Sequence, residues 1–128
     1  MILVDTAIWI DHFRRGNPHL VELLLANRVG VHPWIVGELA CGNLSQRGWV
    51  LGLVRSLPQL PVASEEEMMY FLDRHALAGK GIGYFDMHLL AAATLGSARF
   101  WVTNKALSKA ADELGVLYEP ADPRHPHR

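Results

Sequence analysis

Apolar residues along this chain follow two alternating patterns. Ile2-Leu3-Val4 is a short run that is apolar on both faces, as in the buried strands of parallel sheets, and residues 29–32 and 99–103 predict two further strands. Longer segments carry apolar residues at helical spacing. They predict helices from Thr6, as N-cap, to residue 15, and over residues 19–26, 33–43, 45–56, 64–77, 84–96 and 107–114.

Proline and glycine positions divide these elements. The prolines of residues 57–63 predict a loop leading into an edge strand at 61–63, and residues 116–118 predict a last short strand. Ser64 followed by three glutamates is typical of a capping box, and Gly115 of a helix C-terminus. Strands that alternate with helical segments predict an α/β domain with a parallel sheet.

Composition narrows the class of protein. Half of the 128 residues are apolar, which suffices for one globular core, so we expect a single domain over residues 1–119. Residues 120–128 contain three prolines and predict a flexible tail. The single cysteine excludes an internal disulfide and a cysteine-based zinc site. Without an apolar run of ~18–20 residues or a secretory signal, we expect a cytoplasmic protein with no membrane partner.

The formal net charge of −1 argues against a nucleic-acid-binding protein, since such domains usually carry a basic excess. The acidic residues, however, are unevenly placed. Most lie on polar helix faces, whereas Asp5, Glu38 and Asp86 are each embedded among apolar or small residues. A buried carboxylate is costly unless it is paired or bound to a cation, so these three positions require a reason.

Topology offers one explanation. Asp5 ends the first strand, Asp86 lies in the first turn after a glycine loop, and Asn104 directly follows the strand at 99–103. The carboxyl ends of parallel strands share one edge of a sheet, where Glu38 could join them from its helix. Three carboxylates and an amide oxygen form a hard ligand set that suits Mg²⁺ or Mn²⁺.

Each residue also has a structural alternative. Asp5 could serve only as a helix N-cap, and Glu38 could pair with Arg14 or Arg47. Asp86 could simply complement its helix dipole, and Asn104 could be a turn or capping residue.

Four segments carry a family resemblance. ILVDTAIWIDHFR, HPWIVGELACGNL, GIGYFDMHLLAAA and RFWVTNKALSKAADELGV follow one another between Met1 and Pro120. In these segments the chain resembles the PIN-domain ribonuclease toxins of the VapC type, the toxin half of bacterial VapBC toxin–antitoxin modules. The glycine turn, aspartate and His-Leu-Leu helix of the third segment are the most specific part.

The resemblance implies a fold and an activity. The fold is a PIN-like three-layer α/β/α sandwich around a short parallel sheet, and the activity is Mg²⁺- or Mn²⁺-dependent endonucleolytic cleavage of RNA by metal-activated water. By the same resemblance, Asp5 and Asp86 are the main metal ligands, and Glu38 binds directly or through water. Thr6 contacts Asp5 or a metal-bound water. The family usually has a fourth acid where this chain has Asn104, which puts a second metal in doubt.

The resemblance also implies partners: a VapB-type antitoxin, the RNA substrate, a second copy of the chain and a toxin–antitoxin hetero-oligomer. Trp9 and Phe13, one helical turn apart, are candidates for the antitoxin groove. Lys80, Lys105 and Arg14 are candidates for RNA phosphates, beside the plainer interpretation that they are solvated charges.

Two other functional classes compete with a nuclease. A catalytically silent PIN-like module that binds antitoxin or RNA is kept open by Asn104. An aspartate-nucleophile phosphatase is disfavoured because Ala7 stands where a second acid is required. With the three embedded acids set aside, the remaining charge is only mildly basic, so we expect modest RNA affinity with a shallow salt dependence.

Overall fold

The computed structural model describes residues 1–120, so the tail predicted at 120–128 lies outside the described residues apart from Pro120. Three parallel strands, β1 (Ile2–Val4), β2 (Val29–Gly30) and β3 (Arg99–Trp101), form a sheet with the order β2-β1-β3. The seven helices described are α1 (Thr6–Arg15), α2 (Pro18–Leu25), α3 (Pro33–Cys41), α4 (Arg47–Arg55), α5 (Glu65–Arg74), α6 (Tyr84–Leu95) and α7 (Lys105–Glu113).

The central strand is the most buried element of the sheet. All three residues of β1 are buried, as the apolar run predicts, and Leu3 pairs with Gly30 on one side and Phe100 on the other. Beyond the strand, the Asp5 N–H donates to the Trp101 carbonyl at 3.0 Å. This bond fixes Asp5 at the carboxyl edge of the sheet.

The two short outer strands differ from their predictions. The edge pairing lies at Gln59, which bridges Val31 in parallel, and no strand forms at 61–63, so that prediction is wrong. The pairing predicted at 116–118 is one isolated bridge between Leu117 and Phe100. Sheet hydrogen bonds therefore extend beyond the three strands by single residues on both sides.

Helices pack in two groups that account for the three layers. In one group α1 and α4 both contact α3, and in the other α5 and α7 both contact α6. The arrangement is α/β/α, as predicted. None of the helices formed by residues 1–120 is long and apolar enough to cross a membrane.

Three helices, α3, α5 and α6, start where the sequence predicts them, whereas α2 begins one residue earlier than predicted, α7 two residues earlier and α4 two residues later. Ser64 and Glu67 form the complete capping box, and Pro33 is the first residue of α3. The prediction for Thr6 is wrong: Asp5 occupies the N-cap position of α1, and Thr6 is the first helical residue. The acid that ends β1 is therefore also the residue from which α1 departs.

Candidate functional site

Asp5 stands between β1 and α1 and is half-buried. Asp5 occupies the N-cap position of α1, as the capping alternative has it, although its side chain forms no capping hydrogen bond. Burial and, to a smaller extent, the charge of Asp86 raise the pKa of Asp5, whereas the N–H groups of Thr6 and Ala7 only partly offset the rise. Burial thus disfavours the charged form of Asp5, and a bound cation would stabilise that form.

Asp86 is the third residue of α6 and is also half-buried. A helix dipole alone would lower the pKa of an acid in the first turn. The pKa of Asp86 is instead raised, first by burial and then by the charge of Glu38. Burial and like charge therefore outweigh the favourable end of the helix, and dipole complementarity does not explain this residue.

Glu38 differs from its prediction in one respect. Its side chain is exposed on α3, so the interpretation of Glu38 as an embedded carboxylate is wrong. The pairing alternative also fails within residues 1–120, where Glu38 forms no ion pair with Arg14 or Arg47. Arg47 donates instead to the Gly42 carbonyl at 3.4 Å. Within residues 1–120, Glu38 is an exposed acid without an ion-pair partner, and its charge raises the pKa of Asp86.

Asn104 is the N-cap of α7. Its Oδ1 accepts a hydrogen bond from the Leu107 N–H at 3.0 Å, so the capping role that the sequence left open is confirmed. An amide oxygen has two lone pairs, and the cap uses one of them. Any role toward a metal would have to share this oxygen.

The charge of Asp86 raises the pKa of Asp5, and the charge of Glu38 raises the pKa of Asp86, so like charge links the three carboxylates. They are not a closed cage, because no three His, Cys, Asp or Glu side chains within the described residues are placed to hold a metal ion. The Asp5–Asp86 pair is therefore the centre of the site. Two half-buried carboxylates without a basic partner in this part of the chain form a donor set that fits a hard divalent cation.

Thr6 supplies a second observation at the same place. Its Oγ1 is buried and has no hydrogen-bond partner in the described protein, although it directly follows Asp5. A buried hydroxyl without a partner is costly. An oxygen from a metal-bound water would satisfy it, so Thr6 fits the role implied by the resemblance.

Two buried histidines beside the site were not predicted to matter. His32 is 0% exposed, and its Nδ1 accepts the Trp34 N–H at 3.0 Å, which makes it the N-cap of α3. Burial lowers the pKa of His32 to about 4, with a smaller contribution from His88. Burial also lowers the pKa of His88, whose ring lies 4.0 Å from that of Trp34. In the sequence, only the position of His32 directly before Pro33, the first residue of α3, indicates its role as an N-cap.

The predicted RNA contacts are all exposed. Lys80 lies in the loop before α6, Lys105 begins α7 directly after Asn104, and Arg14 is near the end of α1. None of them forms an ion pair within residues 1–120. The structure leaves the three cations available to solvent.

The two residues predicted to contact the antitoxin, Trp9 and Phe13, lie in different environments. A cavity of about 530 Å³ lies between α1, α3 and α4, and Ile10, Phe13, Arg14 and Glu38 are among its lining residues. Trp9 does not line it, because Trp9 is 1% exposed and belongs to the core, so that prediction is wrong. The Trp9 ring instead stacks on the Phe13 ring, with ring centroids 5.8 Å apart. We call this cavity the α1–α3 groove.

Comparison with known proteins supplies the family. No protein-family model matches the chain. Two curated relatives, both called Ribonuclease VapC32 and coming from the CDC 1551 / Oshkosh and ATCC 25618 / H37Rv strains of Mycobacterium tuberculosis, are each 44% identical to it over 117 residues. The match covers 91% of this chain and 94% of each relative.

Proposed function

The chain belongs to the VapC family of ribonucleases, and on that basis we propose that it is an RNA-cleaving hydrolase, the toxin of a type II toxin–antitoxin module. The observation that carries the proposal at the site is the half-buried, like-charged pair Asp5 and Asp86. Such a pair has no structural benefit of its own, and acids whose pKa values are raised by burial and by a neighbouring like charge are typical of functional sites.

The proposed cofactor is Mg²⁺ or Mn²⁺. Asp5 and Asp86 would hold it, with Glu38 as a direct or water-mediated ligand and Asn104 as a candidate fourth. Bound metal would supply an activated water for in-line attack on the phosphodiester and stabilise the leaving oxygen. The unpartnered Thr6 hydroxyl supports the assignment.

Asp5 and Asp86 have a different role from Glu38 in this proposal. Because the pKa values of Asp5 and Asp86 are raised, both carboxyls retain protons to higher pH than ordinary acids, and a cation must displace those protons. Metal affinity should therefore fall as the pH is lowered. We propose that Glu38, which is exposed, accepts a hydrogen bond from water on the substrate side.

Family membership also supports partners. We propose that a VapB-type antitoxin binds the α1–α3 groove through apolar side chains that contact Ile10 and Phe13, and that its occupancy restricts access to Glu38. A homodimer, a toxin–antitoxin hetero-oligomer and a cytoplasmic location remain part of the proposal.

The activity is tested with the chain purified free of any partner. Total RNA is incubated with it in Mg²⁺, in Mn²⁺ or in EDTA, together with the Asp5→Ala and Asp86→Ala variants. We expect cleavage with either metal, none in EDTA, and a loss of at least ~100-fold in rate for each variant. Asp73→Ala, an exposed acid on α5, is the matched control and should cleave normally.

Two results would contradict the proposal in different ways. Cleavage that survives EDTA or both substitutions would overturn the metal-dependent mechanism. A wild-type chain that binds antitoxin or RNA but cuts nothing in either metal would indicate the silent binding module instead.

A further inference from the structure

The α1–α3 groove combines apolar walls with polar side chains that have free hydrogen-bonding groups. Arg14, Asn43 and Ser45 all line it and are exposed. Within residues 1–120, none of these three side chains forms a hydrogen bond or an ion pair. The apolar part of the lining includes Ile10, Phe13, Leu39 and Val50. Apolar walls with a few convergent polar groups are typical of a ligand site.

The groove lies next to the carboxylate site. Glu38 is one of its lining residues, and the charge of Glu38 reaches Asp86, whose pKa it raises. On α1, Ile10 lies four residues beyond Thr6, and residues with this spacing share a helix face. Because Thr6 directly follows Asp5, the groove begins within about one and a half turns of α1 from that acid.

The size and chemistry of the groove favour one nucleotide. Its volume of about 530 Å³ lies within the range of roughly 300–1,000 Å³ that is usual for small-molecule sites, which leaves no room for a duplex. The apolar wall suits a nucleobase, and the Asn43 amide and Ser45 hydroxyl can hydrogen-bond the edge of that base. Arg14 attracts a phosphate, whereas Glu38 repels one unless a metal ion neutralises it.

We propose that the α1–α3 groove binds one unpaired nucleotide of the RNA substrate, adjacent to the scissile phosphate. Its base contacts the apolar wall, Asn43 and Ser45 hydrogen-bond the base edge, and Arg14 contacts its phosphate. This inference rests on the proposed ribonuclease function. The nucleotide must be unpaired, because sequence-specific contacts in RNA are made to bases that are free of a helix.

The same groove is proposed above to bind the antitoxin, so the two ligands exclude each other. Bound antitoxin then removes a substrate-binding site in addition to restricting access to Glu38. The nucleotide site therefore belongs to the chain when it is free of its partner, which is the form that cleaves RNA.

Binding without cleavage separates contacts to bases from contacts to phosphates. Fluorescence anisotropy in EDTA is measured with a short single-stranded RNA of randomised sequence and with an abasic ribose-phosphate oligomer of the same length. We expect the double variant Asn43→Ala/Ser45→Ala to bind the RNA roughly tenfold more weakly and the abasic oligomer normally. Arg14→Ala should weaken binding of both probes. Arg74→Ala, at an exposed arginine on α5, is the matched control and should weaken neither.

Sequencing of the RNA ends produced in Mg²⁺ tests the same contacts during cleavage. We expect wild type to favour particular bases at one position beside the cut. The Asn43→Ala/Ser45→Ala variant should lose that preference while it still cuts, because its carboxylates are unchanged. Asp73→Ala is the control and should keep the wild-type preference.

The outcomes distinguish this inference from the proposed function. If wild type cuts RNA and the groove variants bind and cut as it does, the groove is left to the antitoxin and this inference alone is overturned. A double variant that loses affinity equally for both probes, or that keeps the base preference, also overturns it alone. If wild type cuts no RNA in Mg²⁺ or in Mn²⁺, the proposed function is wrong as well.

Discussion

The acidic side chains of the site destabilise the metal-free fold when they are charged. Asp5 and Asp86 are carboxyls whose pKa values are raised by burial, so folding favours their protonated forms. In the metal-free protein, these two carboxyls contribute stability that is fully present below their ordinary pKa of 3.8. The protein loses this contribution as the pH rises through the raised pKa values.

Replacing Asp5 by Asn removes that cost. In EDTA at neutral pH, we expect Asp5→Asn to raise the Tm by roughly 3 °C, because a half-buried negative charge beside Asp86 is neutralised. Added Mg²⁺ should raise the Tm of wild type by mass action but not that of the variant. Asp73→Asn is the control and should respond to Mg²⁺ like wild type. An Asp5→Asn variant that is less stable in EDTA and still responds to Mg²⁺ would contradict the assignment.

Asn104 poses a different question, since capping and metal binding would use the same oxygen. Asp is as good an N-cap as Asn, so Asn104→Asp should leave stability nearly unchanged. We expect it to tighten Mg²⁺ binding by roughly tenfold, because a charge is added near the carboxylates. Asn104→Ser keeps a capping oxygen without the charge and is the control. Calorimetric titration that finds equal affinities for all three proteins would place Asn104 outside the metal site.

Individual site residues were predictable to different degrees. Asp5 and Asp86 could be singled out because a strand end and a glycine loop fix their places along the chain. The exposure of Glu38 and the burial of Trp9 could not, because helical spacing shows which residues share a face but not which face meets solvent.

At the scale of elements, the capping box of α5 was fully predictable, whereas the N-cap of α1 was not. Ser64 Oγ accepts the Glu67 N–H at 3.1 Å, and Glu67 Oε1 accepts the Ser64 N–H at 2.9 Å. These bonds involve residues three apart, so the sequence contains all the information needed. Strand ends behave differently, because pairing depends on distant residues. The bridge at Gln59, for example, pairs it with Val31, which lies 28 residues earlier in the chain.

The capping box should contribute a pH-dependent part of the stability of α5. Hydrogen bonds from Ser64 lower the pKa of Glu67, so its contribution is present above the ordinary value of 4.5 and is lost as the pH falls through the lowered pKa. We expect Ser64→Ala to cost about 1 kcal/mol at neutral pH. Glu67→Ala should also destabilise the protein, by an amount that shrinks in acid.

Urea denaturation at neutral and acidic pH measures this effect. Glu66→Ala is the matched control, because Glu66 stands in the same helical turn but forms no bond of the capping box. Equal pH dependence for the Glu66 and Glu67 variants would show that the helix dipole, rather than the box, accounts for the difference.

For the whole molecule, the distribution of charge matters more than its sum. The net charge of −1 includes three acids that would face a metal ion in the working protein. The cations proposed to contact RNA, Lys80, Lys105 and Arg14, are all exposed and carry no ion pair within residues 1–120. Three exposed cations are compatible with RNA binding, but only with a weak electrostatic component.

This leads to a quantitative expectation for salt. Each single-strand phosphate contact contributes about −0.7 to the slope of log affinity against log salt, so three cations predict a slope of about −2. We expect Lys80→Ala to reduce the slope by roughly 0.7. Arg28 is the control cation, because it precedes β2 at the opposite edge of the sheet from Asp5, and Arg28→Ala should leave the slope unchanged. A wild-type slope steeper than about −5 would instead require an extended basic surface, which these exposed cations do not provide.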